Sequence, residues 1–313
     1  MILILSHRGD QHAVVVLEQL TKNRVPAAMF DTAVFPNNAS LSIHQTGGGQ
    51  QADLSFEGAN LDMGSVRRVW WRRPRGFTPD AALTRPEDFN FVHNESHAAI
   101  GGLWRSLDAE WINDPLLDEA AARKVWQLKV ANELGLRTPK TLITNDNQAA
   151  MRFVEAQGNK GTIYKAFTAT EEDWRETRLL KPEEKRELDQ VKYAPVIFQE
   201  YIKADIDLRI TMIGEDIFPA AVYSGETEYK VDFRMTFHDA RVEAHVLPDE
   251  IVTKLRKLMK KLGLIYGAID MRLTPHGEYV FLEINPSGQW LFIEDRTGQK
   301  MTDAFVSRLM APS

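Results

Sequence analysis

Two stretches, Tyr266-Gly-Ala-Ile-Asp-Met-Arg-Leu273 and Tyr279-Val-Phe-Leu-Glu-Ile-Asn285, decide the fold of this 313-residue chain. Both are rich in residues that favour β-strands, and the turn-forming Pro275-His-Gly277 lies between them. The pattern predicts a β-hairpin. Upstream, three more segments are strand-like, and an amphipathic helix is predicted at 248–262. We therefore expect an α+β unit from residue 196 to the C-terminus, with strands at 196–201, 208–213 and 217–223 and a closing helix at 299–310.

The predicted hairpin carries two carboxylates and an amide in an apolar setting. Glu283 and Asn285 are two residues apart and so share one face of the sheet, and the turn brings Asp270 alongside them. Oxygen ligands without histidine or cysteine suit Mg²⁺, which takes one or two protein carboxylates together with substrate phosphates. An acidic pair on a hairpin can also be a plain surface feature. The apolar neighbours make burial of unpaired charge costly, which favours the metal site.

The N-terminal part of the chain has a different pattern. Apolar runs at Ile2–Leu5 and Ala27–Phe30 flank a helical segment, and this alternation predicts a parallel α/β layer. Trp111-Ile-Asn-Asp-Pro115 closes the unit as a strand. A helix over 116–134, ended by Gly135, opens a middle unit. The predicted fold class is α/β and α+β, with units at 1–115, 116–195 and 196–313.

Composition excludes several classes of protein. The chain has no cysteine, so disulfides, thiolate zinc sites and cysteine nucleophiles are absent. A formal net charge of −6 argues against a general nucleic-acid partner. No apolar stretch reaches the roughly 18–20 residues that span a bilayer. The first residues predict a strand and not a signal peptide, so we expect a cytoplasmic protein without a membrane partner.

Four cations lie where a nucleotide phosphate could use them. Lys165 interrupts the apolar strand Ile163-Tyr-Lys-Ala-Phe167, and Arg209 and Arg234 follow an aspartate in Asp207-Leu-Arg209 and Asp232-Phe-Arg234. Lys124 lies in the predicted helix of the middle unit. Each of these cationic residues alone would be interpreted as one partner of a structural ion pair. Together with the acidic hairpin, they form a pattern suited to phosphoryl transfer, in which cations stabilise developing charge.

The order of these segments resembles an ATP-grasp ligase. The residues that carry the resemblance extend from about 115 to the end: Arg123-Lys124, Leu134 to Thr141, Tyr164-Lys-Ala166, Phe198-Gln-Glu-Tyr-Ile-Lys203, Asp207-Leu-Arg209, Asp232-Phe-Arg234, Ala268-Ile-Asp270 and Leu282-Glu-Ile-Asn-Pro-Ser-Gly288. The resemblance implies an ATP-grasp fold, with an N-terminal α/β pre-ATP-grasp domain and central and C-terminal domains that clamp the nucleotide. It also implies ligation of a carboxylate through an acyl phosphate.

Further segments extend the resemblance to nearly the whole chain. The chain is similar to the macrocyclases that mature graspetides such as the microviridins and, more distantly, to ribosomal-protein glutamate ligases. The implied partner is a ribosomally made precursor peptide with a leader and a core, and the implied assembly is a homo-oligomer, a dimer. The segments are Val69-Trp-Trp-Arg-Arg-Pro74, Trp111 to Pro115, Ala194-Pro195, and Asn285-Pro-Ser-Gly-Gln-Trp290 with Glu294 and Thr297-Gly298.

The resemblance also implies a role for each matched residue. ATP phosphates would contact Lys124 and Lys165, with Lys129 as a competitor for the role of Lys124. Arg209 and Arg234 would hold the γ-phosphate and the acyl phosphate. The adenine would be held by a hinge of Gln199, Glu200, Tyr201 and Ile202, the ribose by Asp207, and Mg²⁺ by Asp270, Glu283 and Asn285. A phosphate-covering loop would occupy the charged segment 171–189, which contains no glycine.

Three functions follow as hypotheses. The first is an ATP-dependent macrocyclase that joins Asp or Glu side chains to Ser/Thr hydroxyls or Lys amines within a precursor peptide. The second is a ligase that adds an amino acid to a protein or small-molecule carboxylate. The third is a scaffold that binds nucleotide or peptide without chemistry. Arg72 and Arg73 are either contacts for an acidic core peptide or structural residues, and the structural role is favoured.

Overall fold

The computed structural model describes residues 1–167, 177–226 and 240–311. Its first part is a parallel sheet of four strands in the order β2-β1-β6-β7, flanked by a smaller antiparallel sheet, β3-β4-β5. The predicted α/β layer is confirmed. In chain order the elements are β1 (Ile2–Leu5), α1 (Gln11–Lys22), β2 (Ala27–Phe30), β3 (Ala39–Thr46), β4 (Gly49–Phe56), β5 (Ala59–Asp62), β6 (Arg68–Trp71), α2 (Pro86–Ser106) and β7 (Glu110–Ile112).

The middle part is an antiparallel sheet in the order β10-β9-β11-β8. One face of this central sheet packs on a helix and on the 3₁₀ segment Pro182–Tyr193, around a small core that includes Val154, Leu188 and Phe198. The elements are α3 (Pro115–Ala122), α4 (Lys124–Glu133), β8 (Thr141–Thr144), α5 (Asn147–Gln157), β9 (Thr162–Lys165), β10 (Arg178–Leu179) and β11 (Val196–Glu200).

The single helix predicted over 116–134 is wrong in one respect. Arg123 has an extended conformation, with φ −75° and ψ 107°, and divides the segment into α3 and α4. Both helices pack on the sheet of the C-terminal part through residues such as Ala121 and Val130. The break lets two short helices each present an apolar side to that sheet. Gly135 follows α4 with φ 71°, the left-handed conformation expected of a glycine at a helix end.

The C-terminal part is an antiparallel sheet in the order β14-β13-β12-β15-β16. The strand expected at 196–201 as part of this unit is β11, and it pairs with β8 and β9 of the central sheet instead. The helices at 248–262 and at the C-terminus are confirmed, and a short helix, α7, precedes the last one. The elements are β12 (Ile206–Ile213), β13 (Asp216–Val222), β14 (Val242–Ala244), α6 (Asp249–Leu262), β15 (Tyr266–Leu273), β16 (Tyr279–Asn285), α7 (Leu291–Thr297) and α8 (Met301–Met310).

The N-terminal and C-terminal parts share one hydrophobic core. Trp70 of β6 contacts Trp290 and Phe305, with ring centroids 5.9 and 4.5 Å away, and Tyr266 packs against the same rings. Residues of β1 and α1 belong to the same cluster as residues of β12, α7 and α8. The core of the central sheet is separate from this shared core. None of the described helices combines the length and the apolar character needed to cross a membrane.

Candidate functional site

A cleft lies between the central sheet and the C-terminal sheet. Its volume is about 670 Å³, which includes the part open to solvent. Strands β9 and β11 provide one wall, and β15 and β16 provide the other. The lining includes eight of the residues predicted from the sequence: Lys165, Gln199, Glu200, Tyr201, Ile202, Asp207, Asp270 and Glu283. Residues not predicted also line it: Pro139, Ile163, Thr177, Met271, Arg272 and Leu282.

The predicted hairpin is present, and its register brings the carboxylates together. Asp270 of β15 pairs with Glu283 of β16, and Ala268 pairs with Asn285. The register shifts after Asp270, so that Met271 pairs with Phe281 and Leu282 is the extra residue of a β-bulge. Leu282 and Glu283 therefore both face the cleft, although neighbours in a regular strand would point to opposite sides.

The donor set at this end of the hairpin fits Mg²⁺. Asp270 and Glu283 offer carboxylates and Asn285 offers an amide oxygen, which are hard ligands. Among the residues that the structure describes, no group of three His, Cys, Asp or Glu side chains could hold a metal. That is compatible with Mg²⁺, whose remaining ligands are waters and substrate phosphates. In the structure Asn285 Oδ1 accepts a hydrogen bond of 3.0 Å from Ser287 N.

Two of the predicted phosphate-binding lysines converge on one carboxylate oxygen. Lys124 Nζ is 2.5 Å from Glu283 Oε2, and Lys165 Nζ is 3.8 Å from the same atom. Lys129 points elsewhere: its ammonium is 4.0 Å from Glu133 and 5.8 Å from the centre of the Trp126 ring, and 65% of its side chain is exposed. Of the two candidate lysines on α4, the geometry places Lys124 at the cleft.

Of the two predicted arginines, only Arg209 lies among the residues that the structure describes. Arg209 of β12 is buried, and its Nη1 donates to both carboxylate oxygens of Asp270 at 2.9 and 3.1 Å. Its Nη2 donates to Gln289 O at 3.0 Å. Arg209 thus fixes the position of Asp270, one of the predicted metal ligands. Arg234 and the whole Asp232-Phe-Arg234 segment lie outside the described residues.

The predicted hinge begins within the last two residues of strand β11. Gln199 is buried and donates to Thr141 Oγ1 at 2.9 Å, which ties the end of β11 to β8. Glu200 N donates to Lys140 O at 2.8 Å, and Tyr201 N donates to Gly161 O at 3.2 Å. These bonds fix the backbone of the segment along the rim of the cleft. Its contact with adenine stays a prediction.

Asp207 lies at the cleft but is held by an arginine that sequence reasoning missed. Arg272 Nε and Nη2 donate to its two oxygens at 2.8 and 3.3 Å, and Ser224 Oγ donates at 2.5 Å. Arg272 Nη1 also donates to Ile202 O at 2.8 Å, which links the hinge to the C-terminal sheet. A signal was available: Arg272 is a charge within an apolar strand. The contact between Asp207 and ribose stays a prediction.

Arg72 has the structural role that was favoured for it. Its side chain is fully buried and forms an ion pair with Asp10, with Nε 2.9 Å from Oδ2. Arg73 is exposed, and its contact with a core peptide stays a prediction. The charged segment predicted as a phosphate-covering loop is only partly described: 177–189 contains β10 and the start of the 3₁₀ segment, and 168–176 lies outside the described residues.

A buried amide and a buried acid lie where the N-terminal part meets the start of β15. Asn113 Oδ1 accepts from Ile265 N and Tyr266 N at 2.8 and 2.9 Å, and its Nδ2 lies 3.4 Å from Asp118 Oδ2. Burial raises the pKa of Asp118 to about 6, against weaker lowering contributions from hydrogen bonds with Asn113 and Ser287. The acid therefore changes charge near neutral pH within the folded protein.

Ionisation of Asp118 should make stability depend on pH. An aspartate in the unfolded chain has a pKa of about 3.9, so between about pH 4 and 6 the folded state binds the additional proton. The free energy of unfolding should therefore fall as pH rises through this window, by about 2–3 kcal/mol from this group. The melting temperature of Asp118→Asn minus that of the native protein should rise from pH 4 to 6 and stay constant above pH 6. Glu119→Gln on the same helix is the control for loss of an acid. A difference in melting temperature between Asp118→Asn and the native protein that stays constant with pH would contradict the expectation.

The chain is similar in sequence and fold to several known proteins. Residues 1–118 match the family model described as the MvdD pre-ATP grasp domain. Macrocyclase MdnC from Microcystis aeruginosa MRC, bound with precursor peptide MdnA, is 26% identical with a TM-score of 0.87, covering 99% of this chain and 98% of its own. Macrocyclase MdnB from the same organism is 29% identical with a TM-score of 0.84, covering 99% of both chains.

A third solved structure contains nucleotide and peptide together. It is the RiPP-associated ATP-grasp ligase of Chryseobacterium gregarium in complex with ADP and a leader and core peptide. It is 26% identical to this chain with a TM-score of 0.90, covering 99% of this chain and 97% of its own. No curated protein sequence matches.

Proposed function

We propose that this chain, an ATP-grasp ligase, is a macrocyclase that closes rings within a ribosomally made precursor peptide. The observation that carries the proposal is the cleft in which Lys124 and Lys165 converge on Glu283, beside the Arg209–Asp270 pair. Likeness over the full length to macrocyclases, one of them solved with its precursor peptide, supports the substrate class. The mild negative charge agrees with a peptide partner and not a nucleic acid.

The chemistry begins with an unreactive carboxylate. The side chain of a peptide Asp or Glu is a poor electrophile, so the terminal phosphoryl group of ATP is transferred to one of its oxygens, and ADP leaves. A Ser/Thr hydroxyl or Lys amine of the same peptide then attacks the acyl phosphate carbon. The new ester or amide forms as phosphate departs with the carboxylate oxygen, and the nucleophile loses its proton. The balance is one water removed from the peptide for each ATP converted to ADP and phosphate.

Each residue of the predicted site has a part in this reaction. Lys124 and Lys165 bind phosphate oxygens, and their shared contact with Glu283 holds both ammonium groups in position before nucleotide enters. Arg209, with Arg234, stabilises the charge of the transferring phosphoryl group. Asp270, Glu283 and Asn285 would hold Mg²⁺, which supplies further positive charge against the phosphates. Gln199 to Ile202 hold the adenine and Asp207 the ribose.

Two other functions give different expectations. An amino-acid ligase would use the same cleft and differ only in the amine that attacks. A non-catalytic scaffold could lack some of the charged residues, such as a metal ligand, yet Lys124, Lys165, Arg209, Asp270 and Glu283 are all present and in contact. That arrangement favours an enzyme. We further propose that the enzyme works in the cytoplasm as a homodimer.

The mass of a precursor peptide distinguishes the functions. The substrate to test is the product of a short neighbouring reading frame rich in Thr/Ser and Asp/Glu near its C-terminus. Incubation with the protein, ATP and Mg²⁺ should lower its intact mass by one water for each bond, with one ADP formed per bond. A mass gain equal to an amino-acid residue would instead identify an intermolecular ligase. An unchanged peptide under conditions in which nucleotide binds would favour the scaffold.

A further inference from the structure

We propose that Arg72 of the N-terminal part is a positioning residue for the Mg²⁺ and phosphate end of the cleft. It acts through Pro286–Trp290, the segment that follows Asn285, which we call the β16 loop. The inference rests on the proposed function only to the extent that the cleft binds a magnesium nucleotide. It makes the N-terminal part a component of the nucleotide site, although no residue of 1–115 lines the cleft.

The guanidinium of Arg72 is enclosed and directed at backbone carbonyls. Its Nη1 donates to Ser287 O at 2.6 Å and to Gly288 O at 2.7 Å. Its Nε is 2.9 Å from the carboxylate of Asp10, which Ser6 Oγ also contacts at 3.0 Å. The guanidinium carbon is 5.8 Å from the centre of the Trp70 ring and 5.7 Å from that of Trp290. Arginine suits this place because its planar fork can donate to an acid and to two carbonyls at once.

The β16 loop is in direct contact with two residues assigned to the site. A Cβ built on Gly288 would lie 2.7 Å from Arg209 Nη2 and 2.3 Å from Ala268 Cβ, so the loop backbone lies against both. Ser287 N donates to Asn285 Oδ1 at 3.0 Å, and Arg209 Nη2 donates to Gln289 O at 3.0 Å. A shift of the loop would therefore move the amide of Asn285 and the guanidinium of Arg209.

Other backbone groups of the loop and of the next residue also bond to side chains outside the loop. His12 Nε2 accepts from Trp290 N and Leu291 N at 2.9 and 3.1 Å, as a neutral ring can, and burial lowers the pKa of His12. Tyr266 Oη donates to Gly288 O at 2.7 Å. Asn113 Nδ2 donates to Pro286 O at 3.2 Å. This dense set of bonds gives the loop one position, which is what a site that must hold metal and phosphate requires.

The chain offers a matched control four residues earlier. Arg68 is the first residue of β6, the strand that ends just before Arg72, and it is also buried. Its Nε is 2.8 Å from Glu110 Oε2, and its Nη1 donates to Leu309 O at 2.7 Å. Arg68 thus joins the same two parts of the molecule through the same chemistry, but its carbonyl partners belong to α8 and not to the β16 loop.

The experiment compares Arg72→Met, Arg72→Lys and Arg68→Met in the full chain. Calorimetry would measure ADP binding without and with Mg²⁺, and thermal unfolding would measure stability. Loss of a group that orients a metal ligand typically lowers metal affinity about 10–100-fold. Arg72→Met should therefore raise the Mg²⁺ concentration for half-saturation of the ADP complex by about that factor. Arg72→Lys should recover part of the loss. Arg68→Met should lower the melting temperature similarly and leave the Mg²⁺ dependence unchanged.

Equal Mg²⁺ dependence in Arg72→Met and Arg68→Met would overturn the inference, whether both change or neither does. Should Arg72→Met not fold, Tyr266→Phe removes a single hydrogen bond to Gly288 O and should raise the half-saturating Mg²⁺ concentration about threefold to tenfold. An unchanged value in that variant would overturn the inference too. Failure of the native protein to bind ADP would be a different result, because it would refute the nucleotide site itself.

Discussion

Glu283→Ala should abolish peptide modification. The carboxylate of Glu283 is the meeting point of Lys124 and Lys165 and is a proposed ligand of Mg²⁺. Its loss removes a metal ligand and also leaves two ammonium groups without the acid that holds them. Losing one stabilising contact to a reacting group typically lowers kcat by roughly 10²–10³-fold, and here several contacts change together, so we expect at least that loss. Asp270→Ala should behave likewise, since Arg209 then loses its partner.

The measurement is the rate of water loss from the precursor peptide, followed by mass, with ADP formation in parallel. Glu278→Ala is the matched control: this acid precedes the same strand, pairs with Arg137 and is half exposed, away from the cleft. Thermal unfolding of each variant would separate chemistry from folding. Native-like turnover in a folded Glu283→Ala or Asp270→Ala protein would refute the metal assignment.

Arg272→Met should strongly lower the free energy of unfolding. The substitution leaves the buried carboxylate of Asp207 with only Ser224 Oγ among the partners described above, and it removes the donor to Ile202 O. Breaking a buried ion pair by removing one partner costs about 3–5 kcal/mol, because the remaining charge stays out of water. Urea unfolding of the purified protein would measure the change in free energy of unfolding.

The double variant Arg272→Met with Asp207→Leu provides the internal check. Replacing both charges with apolar side chains removes the unpaired carboxylate, so most of the lost stability should return. Arg256→Met, at an exposed pair with Glu215, should leave unfolding unchanged within error. A loss below about 1 kcal/mol in Arg272→Met would mean that water or a rearranged neighbour satisfies Asp207, and the double variant would then show no recovery.

The features that followed from the sequence are those set by local pattern. Residues that favour β-strands predicted the β15–β16 hairpin, and the Pro-His-Gly turn indicated that the two strands pair, so the proximity of Asp270 and Glu283 was accessible. Lys165 was identifiable because a cation within an apolar strand requires a nearby acid. The bulge at Leu282 was not accessible, because an extra residue in one strand depends on the partner strand and leaves the composition unchanged.

Features that depend on tertiary packing could not be predicted. Lys124 and Lys129 lie on different faces of a helix, and only the packing of α4 on the C-terminal sheet decides that the face with Lys124 meets Glu283. Arg272 and Arg72 act on carbonyls of distant segments, Ile202 and Ser287, and such contacts have no signature in the spacing of residues. The break at Arg123 likewise depends on the surface that α3 and α4 must cover.

The shared core described above divides the molecule into two unequal parts. The N-terminal part and the C-terminal sheet are joined through Trp70, Tyr266, Trp290 and Phe305, and they should behave as one frame, whereas the central sheet has its own core and forms the other wall of the cleft. A change in the width of the cleft therefore needs no disruption of either core.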